Sequence, residues 1–147
     1  MAETARFASC LVGDLLVGVR VEAVQEVTGE SDLTPVPLAS PFVNGLLNLR
    51  GQIVTAIDLR RCLQLDERPS GQRPVNLILR TDDGCVSLQV DEVGDVLAVD
   101  GDCFEEPPRT LRAGLRELIA GAYKLDGRLL LAVDVAGVLG VATRAGL

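Results

Sequence analysis

Short apolar runs recur along the chain, separated at close intervals by turns that carry glycine. Residues 7–12 and 15–21 flank Gly13-Asp14, and residues 46–50 and 53–58 flank Gly51-Gln52. Residues 75–80 and 85–90 flank Asp82-Asp83-Gly84, and residues 125–133 fold back around Asp126-Gly127. Each pair predicts a β-hairpin, because glycine supplies the positive φ that tight turns need. Hairpins at this spacing predict a barrel or sandwich. Helical signals are few. Ser40-Pro41 reads as an N-cap and first-position proline opening one turn, and Asp58 and Asp134 as caps of short helices over 59–63 and 135–139. Leu111, Leu115, Leu118 and Ile119 have helical spacing after Pro107-Pro108, predicting one modest helix. The charged, Pro/Gly-bearing residues 66–74 read as a seam.

The pattern also repeats. Val17 to Val27 lies over Val86 to Val96 at an offset of 69, apolar on apolar, with Glu22 and Glu26 meeting Asp91 and Asp95. Gly45 to Leu59 lies over Gly121 to Val135 at an offset of 76, with both glycines, Ala56 and Asp58 recurring in place. Two ordered matches point to a duplicated unit. The copies part at Arg50, which meets Asp126, and at Asn48, which meets Lys124. Arg50 has two readings: a partner contact, since arginine is enriched at interface hot spots, or an ion pair with Glu26 that orders the first barrel. Val24 and Val27 likewise read as core or as an exposed docking groove.

Composition narrows the function. Of 147 residues 48% are apolar but only Phe7, Phe42, Phe104 and Tyr123 are aromatic, so the core is aliphatic and valine favours strands. A net charge of −7 without a basic cluster argues against nucleic acid and anionic membranes. No secretory leader or spanning run is read, so the expected location is cytoplasmic. Cys10, Cys62, Cys85 and Cys103 are far apart, and with no histidine the usual zinc spacings fail; three of them sit inside apolar runs and read as small buried hydrophobes. The lack of histidine also removes Ser-His and Cys-His nucleophile pairs. Asp58 and Asp134 could suggest paired carboxylates, but capping explains both more simply. Asp82-Asp83-Gly84 is a hairpin tip without the other ligands of a calcium loop. The expectation is a non-catalytic protein with no cofactor and no metal.

The stretch Gly45-Leu46-Leu47-Asn48-Leu49-Arg50-Gly51-Gln52-Ile53-Val54-Thr55-Ala56-Ile57-Asp58-Leu59-Arg60 resembles the signature of CheW-type chemotaxis coupling proteins. Val24-Gln25-Glu26-Val27 and Val90 to Leu97 resemble the same family in the same order, and the resemblance spans about residues 7 to 140. It implies a mainly β fold: two intertwined five-stranded SH3-like barrels with a few short helices, in a single domain over 1–147. The units would be 7–66 and 74–140, with strands exchanged between them. It implies an adaptor that couples the cytoplasmic tip of chemoreceptors to the regulatory domain of a CheA-type histidine kinase, recruited to membrane-associated receptor arrays. Carried over by position, the protein-binding residues are Val24, Glu26, Val27, Asn48, Leu49, Arg50 and Gly51. The alternative is a coupler of another motility or developmental pathway, such as twitching or gliding. Two departures stand out: Thr55-Ala56 replaces a more usual Pro- or Val-containing pair, and the few residues after Leu139 leave little room for a C-terminal helix.

Overall fold

Turn chemistry sets the hairpins. In the computed structural model, which describes residues 4–29, 32–36, 40–82, 84–106 and 113–145, strands β1 (Thr4–Val12) and β2 (Leu15–Arg20) meet at Gly13, φ +61°. Strands β4 (Val43–Leu49) and β5 (Gln52–Asp58) are joined by Arg50 and Gly51, at φ 52° and 89°. Positive φ at both central residues is the two-residue turn that matches strand twist, so the turn is Arg50-Gly51 and not the expected Gly51-Gln52. Gln52 instead opens β5, paired with Leu49.

A 3-10 turn over Val21–Ala23 leads from β2 into β3 (Val24–Thr28). The second half contributes β6 (Val75–Thr81), β7 (Gly84–Val90), β8 (Glu92–Asp100), the two-residue β9 (Phe104–Glu105), β10 (Ile119–Leu125) and β11 (Arg128–Val133). Helices are short, and their ends differ from expectation. Helix α1 is Leu59–Cys62, begun by Asp58, whose carboxylate accepts from Arg60 N. Of the helix expected through Leu111 to Ile119, the described part is α2, Ala113–Arg116, which ends early because Ile119 is drawn into β10; Leu111 lies outside the described residues. Helix α3 extends over Val135–Ala145, well past Leu139, because buried Val138 and Ala142 continue an apolar face that docks on the core. At Ser40-Pro41 the chain makes a turn rather than a helical one: Ser40 Oγ accepts from Phe42 N (3.1 Å) and Val43 N donates to Ser40 O (3.0 Å).

Two sheets result, in the orders β8-β1-β2-β11-β10-β9 and β3-β6-β7-β5-β4. Each of the stretches 7–66 and 74–140 therefore supplies strands to both sheets: β3, β4 and β5 leave their own hairpin to pair with β6 and β7, while β8 to β11 pair with β1 and β2. The joins are parallel, β11 on β2 and β5 on β7, and the remaining pairs are antiparallel. The six-strand count of the first sheet, against five expected, comes from β9, a two-residue addition on β10. The duplication holds to the level of register. Register shifts fall at Gln25 and at Gly94-Asp95, and at Asn44 and Ala120; Gln25 and Gly94, and Asn44 and Ala120, are equivalent at offsets of 69 and 76.

Central strands are buried on both faces. One face fills the interior of its own sheet: Phe7, Tyr123, Leu130 and Ala132 in one, Leu47, Val54, Ala56 and Ile78 in the other. The opposite faces, with Val17, Val19, Ile57, Leu77, Leu88 and Leu131, join Leu59 and Val138 in the large core. Several of these side chains are fully buried, each contributing roughly 1.5–3 kcal/mol of transfer free energy.

Candidate partner-binding surface

Strands β3 and β4 are the two ends of the five-stranded order. A side-chain pair, Arg50 and Glu26, joins the turn after β4 to β3. Arg50 Nη1 donates to Glu26 Oε2 (3.2 Å) and Nη2 to Oε1, a two-pronged pair that fixes the geometry of the seam. The pair is on the surface, with the Arg50 side chain 68% exposed and that of Glu26 26%. The hydrogen bond from Arg50 holds the Glu26 carboxyl below its ordinary range, and Glu26 in turn raises the guanidinium. Asn48 Oδ1 accepts from Gly51 N (2.8 Å), bracing the turn that presents Arg50.

The seven sequence-expected residues divide between two neighbouring elements. Val24, Glu26 and Val27 lie on β3; Asn48, Leu49, Arg50 and Gly51 form the end of the β4–β5 hairpin. Val24 is half-buried against the large core and Leu49 against the interior of its own sheet, whereas Val27 is 47% exposed. An exposed residue that the motif reading passed over is Ile53, 62% exposed. Its signal was available in the repeat: the exposed Val27 and Ile53 are equivalent to Val96 and Leu129, which are exposed too. Both copies thus present a valine and an aliphatic hairpin residue to solvent. The first copy flanks them with an ion pair, and the second has Asp95 and Asp126 at the matching places.

Asp58 and Asp134 each cap a helix, through Arg60 N (3.0 Å) and Gly137 N (3.0 Å). No group of three or more Cys, Asp or Glu side chains is placed to hold a metal among the described residues. Cys10 and Cys62 are buried, and desolvation pushes both thiols up to about 12. Cys85 is half-buried and Cys103 exposed. No described helix is long and apolar enough to cross a membrane.

The chain belongs to the CheW-like domain family, whose model matches residues 6–142. It is 31% identical to the chemotaxis protein CheW of Bacillus subtilis over 82% of this chain and 78% of that protein. It is 27% identical to that of Treponema pallidum, over 84% and 75%. The scaffolding protein TtCheW from Thermoanaerobacter tengcongensis has the same fold, with a TM-score of 0.79 at 24% identity over 90% of each chain. That likeness makes the two sheets SH3-like.

Proposed function

We propose that the protein is a non-catalytic chemotaxis adaptor that couples chemoreceptor tips to the regulatory domain of a CheA-type histidine kinase. The reading is carried by the CheW-like match, which runs over residues 6–142. Chemotaxis is preferred to another motility pathway because relatives named for chemotaxis align over more than four-fifths of this chain. The protein works in the cytoplasm, at receptor arrays. Val27, Arg50 and Ile53 form its kinase-facing surface, with Glu26 and Asn48 holding Arg50 in place. Coupling is geometric: two surfaces on one rigid body hold receptor and kinase at a fixed spacing, so a receptor rearrangement biases the kinase equilibrium.

The test is size-exclusion co-elution with the kinase regulatory domain from the same source. The expected result is a complex that Arg50→Ala weakens on the order of tenfold while the melting transition stays cooperative. A variant that binds as the parent does removes Arg50 from the interface. No complex with the parent protein overturns the reading.

A further inference from the structure

Residues 66–74 read as a loose seam by composition, yet Arg68 within them has a side chain only 11% exposed. Its Nε donates to Asp91 Oδ1 (2.8 Å) and its Nη2 lies 3.6 Å from Asp58 Oδ1. Asp91, 5% exposed, also accepts from Arg60 Nε (3.0 and 3.1 Å) and Gly13 N (2.7 Å). Arg60 reaches the segment a second time, donating from Nη1 to Asp66 O (2.5 Å), while Leu65 packs on the large core. The segment is therefore held in its N-terminal half, at Leu65, Asp66 and Arg68.

Beneath it is a cavity of about 350 Å³, lined among others by Asn44, Asp58, Arg68 and Gln89. From Asp58 a buried chain of hydrogen bonds crosses the sheet interior. Asn44 Nδ2 donates to Asp58 Oδ2 (3.4 Å) and to Gln89 Oε1, and Gln89 Nε2 donates to Asn76 Oδ1 (3.2 Å). Ser87 Oγ donates to the same oxygen (2.9 Å), and Asn76 Nδ2 ends the chain on Gly29 O (2.8 Å), just past β3.

The fold does not require this arrangement, because its own duplicate omits it. Asn44, Asn76 and Ser87 correspond to Ala120, Phe7 and Gly18, and Arg60 to Ala136. Where one sheet interior holds the amide chain, the other packs Phe7 against Tyr123, ring centroids 5.3 Å apart. Buried polar groups are costly unless fully paired, so their presence in one copy calls for a role.

We propose that residues 64–74 form a strap latched by Arg68, and that the latch sets how firmly the end of β3 is held, through Asp58, Asn44, Gln89 and Asn76. The strap is one of two states; release removes a guanidinium from between Asp58 and Asp91 and lets water into the amide chain. That loosens Gly29 and with it the strand carrying Glu26 and Val27. The consequence for partner binding rests on the function proposed above; the latch itself does not.

The test is hydrogen–deuterium exchange on the free full-length chain, parent against Arg68→Met, which keeps the apolar stem but removes the fork. Exchange in residues 64–74 and 24–29 should rise about tenfold or more, with β10 and β11 unchanged. Faster exchange in the strap alone overturns the link to β3, and equal acceleration everywhere, or none, overturns the latch. If Arg68→Met does not fold, Arg68→Lys is read the same way, since a lysine keeps a charge near Asp91 but cannot span to Asp58. Because no partner is present, failure here is distinct from failure of kinase co-elution.

Discussion

Asp91 illustrates how one carboxylate can be both costly and stabilising. Burial pushes its carboxyl up, but the donors from Arg60, Gly13 N and Arg68 outweigh that and leave it below the ordinary aspartate range. A folded-state value below the unfolded one means the group stabilises at pH above the unfolded value, and that stability is lost as pH falls through the depressed folded value. Urea denaturation between pH 7 and 3 should therefore show stability declining below about pH 4, with a shallower decline in Asp91→Asn. At neutral pH the same variant should lose about 3 kcal/mol, because Arg60 and Arg68 then face a neutral amide in a buried setting. An unchanged midpoint would mean the arginines find other acceptors.

At the level of elements, the two late hairpins have the same register but are crossed differently. Gly45 in β4 has φ +146°, and a Cβ there would lie 2.7 Å from the carbonyl oxygen of Thr34, whose backbone exchanges two 2.8 Å hydrogen bonds with Leu46. Its counterpart Gly121 in β10 sits under the Phe104 ring, where a Cβ would come within 2.1 Å of a ring carbon. A backbone crossing cannot move without breaking its bonds, whereas Phe104, 46% exposed, can swing outward. Gly45→Ala should therefore cost about 3 kcal/mol and Gly121→Ala about 1 kcal/mol, the latter losing mainly the edge contact of Phe104 with Tyr123. Thermal melts of the two variants decide it, and equal losses would contradict the distinction.

For the molecule as a whole, strand exchange makes the halves interdependent. A chain cut after residue 70 would leave the first part with β3, β4 and β5 but without the β6–β7 pair that joins them, and the second part with the converse deficit. The large core would also be divided, since it draws on β1, β2, β5, β6, β7 and β11 together. Fragments 1–70 and 71–147 should each lack cooperative unfolding alone and regain strand circular dichroism on mixing. Independent folding of either fragment would show that hairpin propensity alone suffices.

Hairpins, their glycines, the caps at Asp58 and Asp134 and the duplicated pattern were legible in the sequence because they depend on residues near one another in the chain. Even the odd residue out, Arg50, emerged from comparing the two copies. The turn position was missed by one residue because Arg50 adopts a positive φ that its side chain does not advertise. The extent of α3 and the end of α2 before Ile119 were decided by packing, since short segments are marginal helices on their own strength. Which sheet each strand joins, and the meeting of Gly13, Asp58, Arg60, Arg68 and Asp91, depended on chain segments up to 78 residues apart. No local pattern encodes such contacts: their energy exists only once the exchanged strands have brought those side chains out of water together.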